Sequence, residues 1–182
     1  MLRFHCALKA EAAPINAFFG LSLQKRTNTY SLFAKDNMQM LVTGSGAHKI
    51  QLALNDFKPN ACSAIWLNIG IAGSAEFSHG SVVPVAAVKY LYHKPVAINC
   101  DQKGVTVLTL NKPSLIYPEK VLLDMELWHL KQFIGNDLLY SLKIVSDVPN
   151  SGFVSSKKQI KDLIRQAMPQ INKMVSKNDL NY

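Results

Sequence analysis

The chain has 182 residues, 48% of them hydrophobic and 18% charged, which suits one compact domain over residues 1–182 and excludes a disordered or fibrous chain. A formal net charge of +8 raises a nucleic-acid role, but no nucleic-acid module is present, and the C-terminal lysines are spaced as on the wet face of a helix. Three cysteines, Cys6, Cys62 and Cys100, are too few and too scattered for a disulfide framework or a zinc site. No apolar run approaches the roughly 20 residues that span a bilayer. The stretch from Met1 to Leu8 is too short before Lys9 and Glu11 to be a signal peptide. A soluble, cytoplasmic protein with no metal, no cofactor and no membrane span is the expectation.

Leu2 to Leu8 is short and apolar, as a buried strand is. Ala10 to Phe19 follows as a helix, with Ala12, Ile15, Phe18 and Phe19 on one face. Tyr30–Ala34 and Met38–Thr43 predict a hairpin. Gly44-Ser45-Gly46 then leads into a helix whose apolar face is Ile50, Ala53, Leu54 and Phe57, stopped by Pro59-Asn60. Ala64–Ile69 reads as a buried strand entering a Gly70 to Gly73 turn, and Val82–Val88 as another strand. From Lys89 to Tyr117 the pattern weakens: Val105–Leu110 is strand-like, and Lys112–Pro118 is a loop. Val121–Phe133 is helical by composition, and Tyr140–Val145 is a strand. The last helix places Ile160, Leu163, Ile164, Ala167, Ile171 and Met174 on one face, and Pro169 predicts a kink or break within it. Strands alternating with helices give a three-layer α/β domain.

The chemistry-bearing residues sit in short segments at the ends of the predicted strands, where α/β proteins place their sites. Singly, each has an ordinary explanation. Glu11 suits a first helical turn. The glycine turns allow positive φ. Asp124-Met125-Glu126 suits a wet helix face, and Ser146-Asp147 suits a helix cap. His48 fits a helix start, and Trp128 fits a core or an interface better than a base-stacking position.

Their order carries more. Ala7-Leu8-Lys9-Ala10-Glu11 follows a first strand, and Val42-Thr43-Gly44-Ser45-Gly46 opens a helix. Asn68-Ile69-Gly70-Ile71-Ala72-Gly73 precedes Gly80-Ser81-Val82-Val83, and Asp124-Met125-Glu126 precedes Val145-Ser146-Asp147. This succession resembles the purine nucleoside phosphorylase/nucleosidase superfamily, and within it the methylthioadenosine/S-adenosylhomocysteine nucleosidases. The match covers residues 2–89 and 121–175.

The resemblance implies an α/β/α sandwich around a central mixed sheet, shortened in its middle segment. It implies cleavage of the N-glycosidic bond of an adenosine-type nucleoside. Breaking that bond leaves an oxocarbenium-like sugar and a poor purine leaving group. An acid with a pKa raised towards neutrality removes the second problem. By resemblance that acid is Asp147, with Ser146 beside it. Glu126 is implied to accept the ribose hydroxyls, Met125 to pack on the sugar, and Glu11 to orient or deprotonate the attacking water. Ile71 and Gly73 are implied to line the substrate, with Gly73 letting the sugar approach the backbone.

The chain departs from the family pattern in two places. Phosphorolytic members carry arginine where this chain has Asn68, and serine or threonine where it has Ile71, so water is the expected nucleophile. Lys143 stands where many relatives have arginine. The Lys89–Lys120 stretch is also compressed, and no base-binding residue is read from it. A phosphorylase and a degenerate nucleoside-binding protein are the alternatives. A homodimer is expected, with an apolar interface involving the helix after Gly44 or residues near Trp66 and Trp128.

Overall fold

Leu2–Cys6 (β1) is buried along its whole length, as a strand covered on both faces must be. In the computed structural model, which describes residues 1–57, 64–99, 103–114, 116–135, 137–151 and 156–177, β1 is flanked by two parallel neighbours. These are β4 (Met38–Val42) and β5 (Ile65–Gly73). Beyond β4 the sheet continues through antiparallel β3 (Ser31–Lys35) to β2 (Ser22–Arg26). β2 is exposed throughout, so no apolar alternation marks it in the sequence.

On the other side β5 pairs in parallel with β10 (Leu138–Asp147), which pairs antiparallel with β6 (Val82–Tyr90). β6 continues in parallel to β8 (Val105–Thr109) and then β9 (Val121–Asp124), with the short β7 (Val96–Ala97) added to its side. β9 meets β5 again at the Leu123–Gly73 pair. Strands β5, β10, β6, β8 and β9 therefore close on themselves, while β1, β4, β3 and β2 extend from β5 as an open wing. The sheet is mixed, as expected.

Helices cover both faces. α1 (Lys9–Phe19) and α4 (Lys157–Lys177) pack together over Phe4, Met40, Leu67 and Ile69. α2 (Ala47–Phe57) and α3 (Leu127–Ile134) pack over the opposite face, with Leu41, Trp66 and Leu122. The strands alternate to serve both layers: Phe4 enters the first cluster, whereas Arg3 lies against the rings of Phe57 and Trp66. The three-layer α/β/α arrangement follows.

Several local expectations change. Val121–Phe133 is a strand and then a helix, because Val121–Asp124 completes the closed part of the sheet before the chain turns at Met125-Glu126. Gly70 to Gly73 is the end of β5, not a turn; the glycines with positive φ lie elsewhere, Gly44, Gly46 and Gly80 among them. Phe18 is 55% exposed and lies off the buried face of α1. Trp66 itself is buried in the core. Pro59-Asn60, Cys62 and Cys100 lie outside the described residues. Among the described residues no helix is long and apolar enough to cross a membrane.

Pro169 does not break α4, which runs unbroken for 21 residues. Pro169 and Arg165, whose carbonyl lacks its usual donor, are both exposed, so water can serve that carbonyl. The buried face of Ile160, Leu163, Ile164, Ala167 and Ile171 holds the helix together across the proline. Pro169→Ala is expected to raise the unfolding free energy, by up to about 3 kcal/mol, as measured by denaturant titration.

Candidate active site

The C-terminal ends of β1, β4, β5, β8, β9 and β10 converge on a cavity of about 310 Å³. This is where α/β sheets hold their ligands. Glu11, Ile71, Gly73, Met125, Glu126 and Asp147 all line it. They come from segments far apart in the chain, and the sheet brings them together.

Glu11 is 2% exposed and held by two backbone N–H groups, Leu8 at 2.8 Å and Ile71 at 3.0 Å. Gly70 makes room for it, since a Cβ there would lie 3.1 Å from Glu11 Oε1 and 3.7 Å from Lys143 Nζ. Burial lifts the Glu11 carboxyl from 4.5 to about 7; Glu126 adds to the rise, while the two N–H groups and Lys143 oppose it.

Glu126 is fixed by the Gly-Ser-Gly segment. Ser45 Oγ donates to its Oε1 at 2.7 Å, and the Gly46 N–H donates to the same oxygen at 2.9 Å. The positive φ of Gly44 and Gly46 shapes this turn, so the motif serves to hold a carboxylate at the start of α2, where the helix dipole favours it. Burial raises the Glu126 pKa, and Asp124 raises it further against Lys143, Ser45 and Gly46.

Asp124 is the anchor of this set. Its carboxylate pairs with Lys143 at 2.8 Å and accepts the Thr109 hydroxyl at 2.6 Å and the Leu127 N–H at 3.0 Å. It thereby caps α3, as Thr109 Oγ1 also does by accepting the Trp128 N–H at 3.1 Å. Lys143 is 1% exposed. Burial pushes its pKa down, but Asp124, Glu126 and Glu11 outweigh that and leave it raised.

Asp147 reaches the cavity through a β-bulge. Val145 pairs with Ala72 and Asp147 pairs with Gly73, so Ser146 is the additional residue. Bulges of this kind re-aim a side chain. Ser146 is buried behind the cavity wall and donates to Asp147 Oδ2 at 2.6 Å; its Oγ is also 3.4 Å from the Ala72 carbonyl. Asp147 is not the cap of α4. That helix starts ten residues on, where Ser156 Oγ accepts the Gln159 N–H at 3.1 Å.

Tyr117 is the residue that sequence reading missed. Its ring lies so close over Gly73 that a Cβ there would collide with it. Its hydroxyl is buried with no hydrogen-bond partner among the described residues. Leu110 and Pro113, from the same weakly patterned region, line the cavity beside it. The only sequence signal was an aromatic residue next to Pro118 in a loop.

Other candidates lie elsewhere. Asn68 does not line the cavity: its side chain donates to His5 Nδ1 at 2.9 Å and accepts the Ser141 hydroxyl at 2.9 Å. His5 Nε2 lies 3.0 Å from Thr43 Oγ1, and burial with nearby Lys143 pushes the His5 pKa down to about 3. His48 is exposed on α2. Trp128 is half-buried and stacks on Tyr90, with ring centroids 6.0 Å apart, outside the cavity lining. Among the described residues, no group of His, Cys, Asp and Glu is placed to hold a metal.

No protein-family model matches the chain, and no curated protein matches its sequence. Solved structures do match its fold. A methylthioadenosine nucleosidase of Chlamydia trachomatis superimposes with a TM-score of 0.73 at 20% identity, covering 95% of this chain and 97% of that one. The 5′-methylthioadenosine nucleosidase of Arabidopsis thaliana gives 0.71 at 14% identity, with 96% and 94% covered. The 5′-methylthioadenosine/S-adenosylhomocysteine nucleosidase of Campylobacter jejuni gives 0.68 at 10%, with 97% and 98% covered. The chain therefore has the nucleoside phosphorylase/nucleosidase fold.

The raised Glu11 pKa has a consequence for stability. Between pH 4.5 and about 7 the folded state keeps a proton on Glu11 that the unfolded chain has lost. Stability from this group is therefore full below pH 4.5 and declines by as much as about 1.4 kcal/mol per pH unit up to the folded pKa. His5 acts with the opposite sign, adding stability as pH rises from about 3 to 6.5. The comparison that isolates Glu11 is Glu11→Gln against the parent. Its amide meets the Leu8 or Ile71 N–H at a constant cost, and the stability difference between parent and variant in urea unfolding is expected to shrink as pH rises from 5 to 7, because only the Glu11 share of the decline is lost.

Proposed function

We propose that this chain, built on the nucleosidase fold, hydrolyses the N-glycosidic bond of a purine nucleoside of the adenosine type. The observation that carries the reading is the convergence of Glu11, Met125, Glu126 and Asp147 on one cavity. Structures of the Chlamydia trachomatis protein hold methylthioadenosine in one case and adenine in another.

In this reading Glu126, already an acceptor from Ser45 and Gly46, takes the ribose hydroxyls on its remaining lone pairs. Met125 packs on the sugar, and Tyr117 supplies an aromatic face and a free hydroxyl to the base. Asp147 delivers a proton to the purine as the C1′–N bond breaks. Ser146 orients Asp147 through its 2.6 Å hydrogen bond. Water adds to C1′ and gives its proton to Glu11, whose pKa of about 7 leaves a usable share of carboxylate at neutral pH. The proton returns to Asp147 through solvent, which closes the cycle.

Water rather than phosphate is favoured by charge. Glu11, Asp124, Glu126 and Asp147 line the cavity against Lys112 alone among the described lining residues. A phosphate dianion meets repulsion there, and Asn68 and Ile71 supply neither the cation nor the hydroxyl to offset it.

The test is release of adenine from methylthioadenosine, S-adenosylhomocysteine and adenosine, with and without phosphate. Release without phosphate is expected; release only with phosphate defeats the hydrolase reading, and no release under any condition favours a binding protein. Asp147→Asn keeps shape and hydrogen bonding but cannot deliver a proton. Its kcat is expected to fall at least about 100-fold with the fold intact, and near-normal turnover removes Asp147 from the mechanism.

For assembly, a homodimer is our reading, with the interface at the exposed face of α2 around Leu52 or beside the Tyr90–Trp128 stack, where Leu91 and Tyr92 are also exposed. Light scattering at micromolar concentration is expected to give twice the chain mass; a monomeric mass removes the claim.

A further inference from the structure

Four polar side chains cross the interior of the sheet in a line: Ser141 on β10, Asn68 on β5, His5 on β1 and Thr43 just past β4. None is more than 3% exposed. Their strands are neighbours, and the register sets His5 and Ser141 opposite Asn68 on its two sides. Apolar residues would fill this space without donors and acceptors to satisfy. A buried polar chain destabilises a core unless every member is paired, as each of these is.

The chain has a direction, fixed by its last link. The Thr43 hydroxyl donates to the Gly44 carbonyl at 3.1 Å. Its oxygen lies 3.0 Å from His5 Nε2 and therefore accepts the N–H there. A proton on Nε2 leaves Nδ1 to accept the Asn68 amide at 2.9 Å, and Asn68 Oδ1 accepts the Ser141 hydroxyl at 2.9 Å. Every donor thus points from β10 towards Gly44, and each bond polarises the next. Burial and the Lys143 ammonium oppose a second ring proton, so His5 is neutral down to about pH 3 and the direction holds at neutral pH.

Gly44 is where that direction matters. With a φ of 87° and no side chain, it leaves the peptide that follows free to rotate. That peptide leads into Ser45 and Gly46, whose hydroxyl and N–H grip Glu126 Oε1 at 2.7 and 2.9 Å. The His5 N–H occupies the Thr43 oxygen, so the Thr43 proton is turned to the Gly44 carbonyl and holds the peptide still.

We propose that His5, which lies outside the cavity lining, is a positioning residue: through Thr43 and the Gly44 carbonyl it sets the orientation of Glu126 towards the ribose hydroxyls. This rests on the reading of Glu126 as the ribose acceptor.

The test compares His5→Gln with His5→Asn. Gln places an amide N–H near the position of Nε2 and keeps the donation to Thr43; Asn reaches only as far as Nδ1 and loses it. Methylthioadenosine and adenine are titrated by calorimetry, and adenine release is followed separately. His5→Asn is expected to weaken methylthioadenosine binding at least about tenfold, the share of one hydrogen bond to a charged group. Adenine, which has no ribose, should bind as before, and His5→Gln should bind both as the parent does. Thr43→Val removes the same link from its other side, should match His5→Asn, and carries the comparison where that variant does not fold. Ring-nitrogen NMR of the parent protein should place the His5 proton on Nε2; a proton on Nδ1 reverses the chain and overturns the proposal. Equal weakening by Gln and Asn, or equal loss of methylthioadenosine and adenine, marks a purely structural residue and overturns it too. If the parent releases adenine and every variant binds methylthioadenosine as the parent does, the nucleosidase reading stands and the positioning role falls. If the loss is specific to the nucleoside but no protein releases adenine, the positioning role stands and the hydrolase reading falls. Failure of the parent to bind methylthioadenosine removes both.

Discussion

One buried ammonium sets the terms for the whole site. Lys143 lies inside the sheet with three carboxyls around it, those of Asp124, Glu126 and Glu11. A charge taken out of water costs several kcal/mol unless it is paired and its remaining hydrogen bonds are made. The 2.8 Å contact with Asp124 meets that requirement, and Thr109 and the Leu127 N–H complete the carboxylate's shell. One cation cannot balance three anions. The excess is absorbed in two ways: hydroxyl and N–H donors surround Glu126, and Glu11 keeps its proton up to about pH 7. His5, close to the same ammonium, is held neutral. Burial around Lys143 therefore sets the protonation states of Glu11 and His5.

The same group connects fold and site. Lys143 pairs with Gly70 across β10 and β5, and the missing side chain of Gly70 leaves the space in which Glu11 and Lys143 approach each other. Asp124 holds the start of α3 while it pairs with Lys143, so the helix, the closing strand β9 and the charge cluster are tied at one residue. Four residues after Lys143 on the same strand, the bulge at Ser146 turns Asp147 into the cavity. A change that loosens β10 thus disturbs the charge balance and the proposed proton donor together.

Charge is also distributed unevenly between the candidate active-site cavity and a larger one beside it, of about 880 Å³, with Ala7 and Leu8 in both linings. The smaller is lined by Glu11, Asp124, Glu126 and Asp147, and the larger by lysines and Arg26. Part of the net charge of +8 that suggested a nucleic-acid partner is spent around this groove, and Lys157 and Lys161, which read as a wet helix face, line it.

By itself, the sequence determined the layers and most of the site. Apolar periodicity located α1, α2 and α4 and the central strands, because burial on a regular element leaves a regular trace. The order of the glycine and carboxylate segments carried the family resemblance that pointed to Glu11, Met125, Glu126 and Asp147, and the fold brings these four onto one cavity. Tertiary structure decided the rest. The closure of β9 onto β5 rests on one pairing with no local signature, and so Val121–Asp124 read as helix. β2 is a polar edge, where no core demands alternation. Gly70 and Gly73 looked like turn residues, but both are extended and owe their lack of side chain to Glu11 and Tyr117, which arrive from distant segments. The pKa of Glu11, the bulge at Ser146 and the meeting of two cavities at Ala7 and Leu8 depend on which groups lie near one another in space, and residue order alone does not encode such distances.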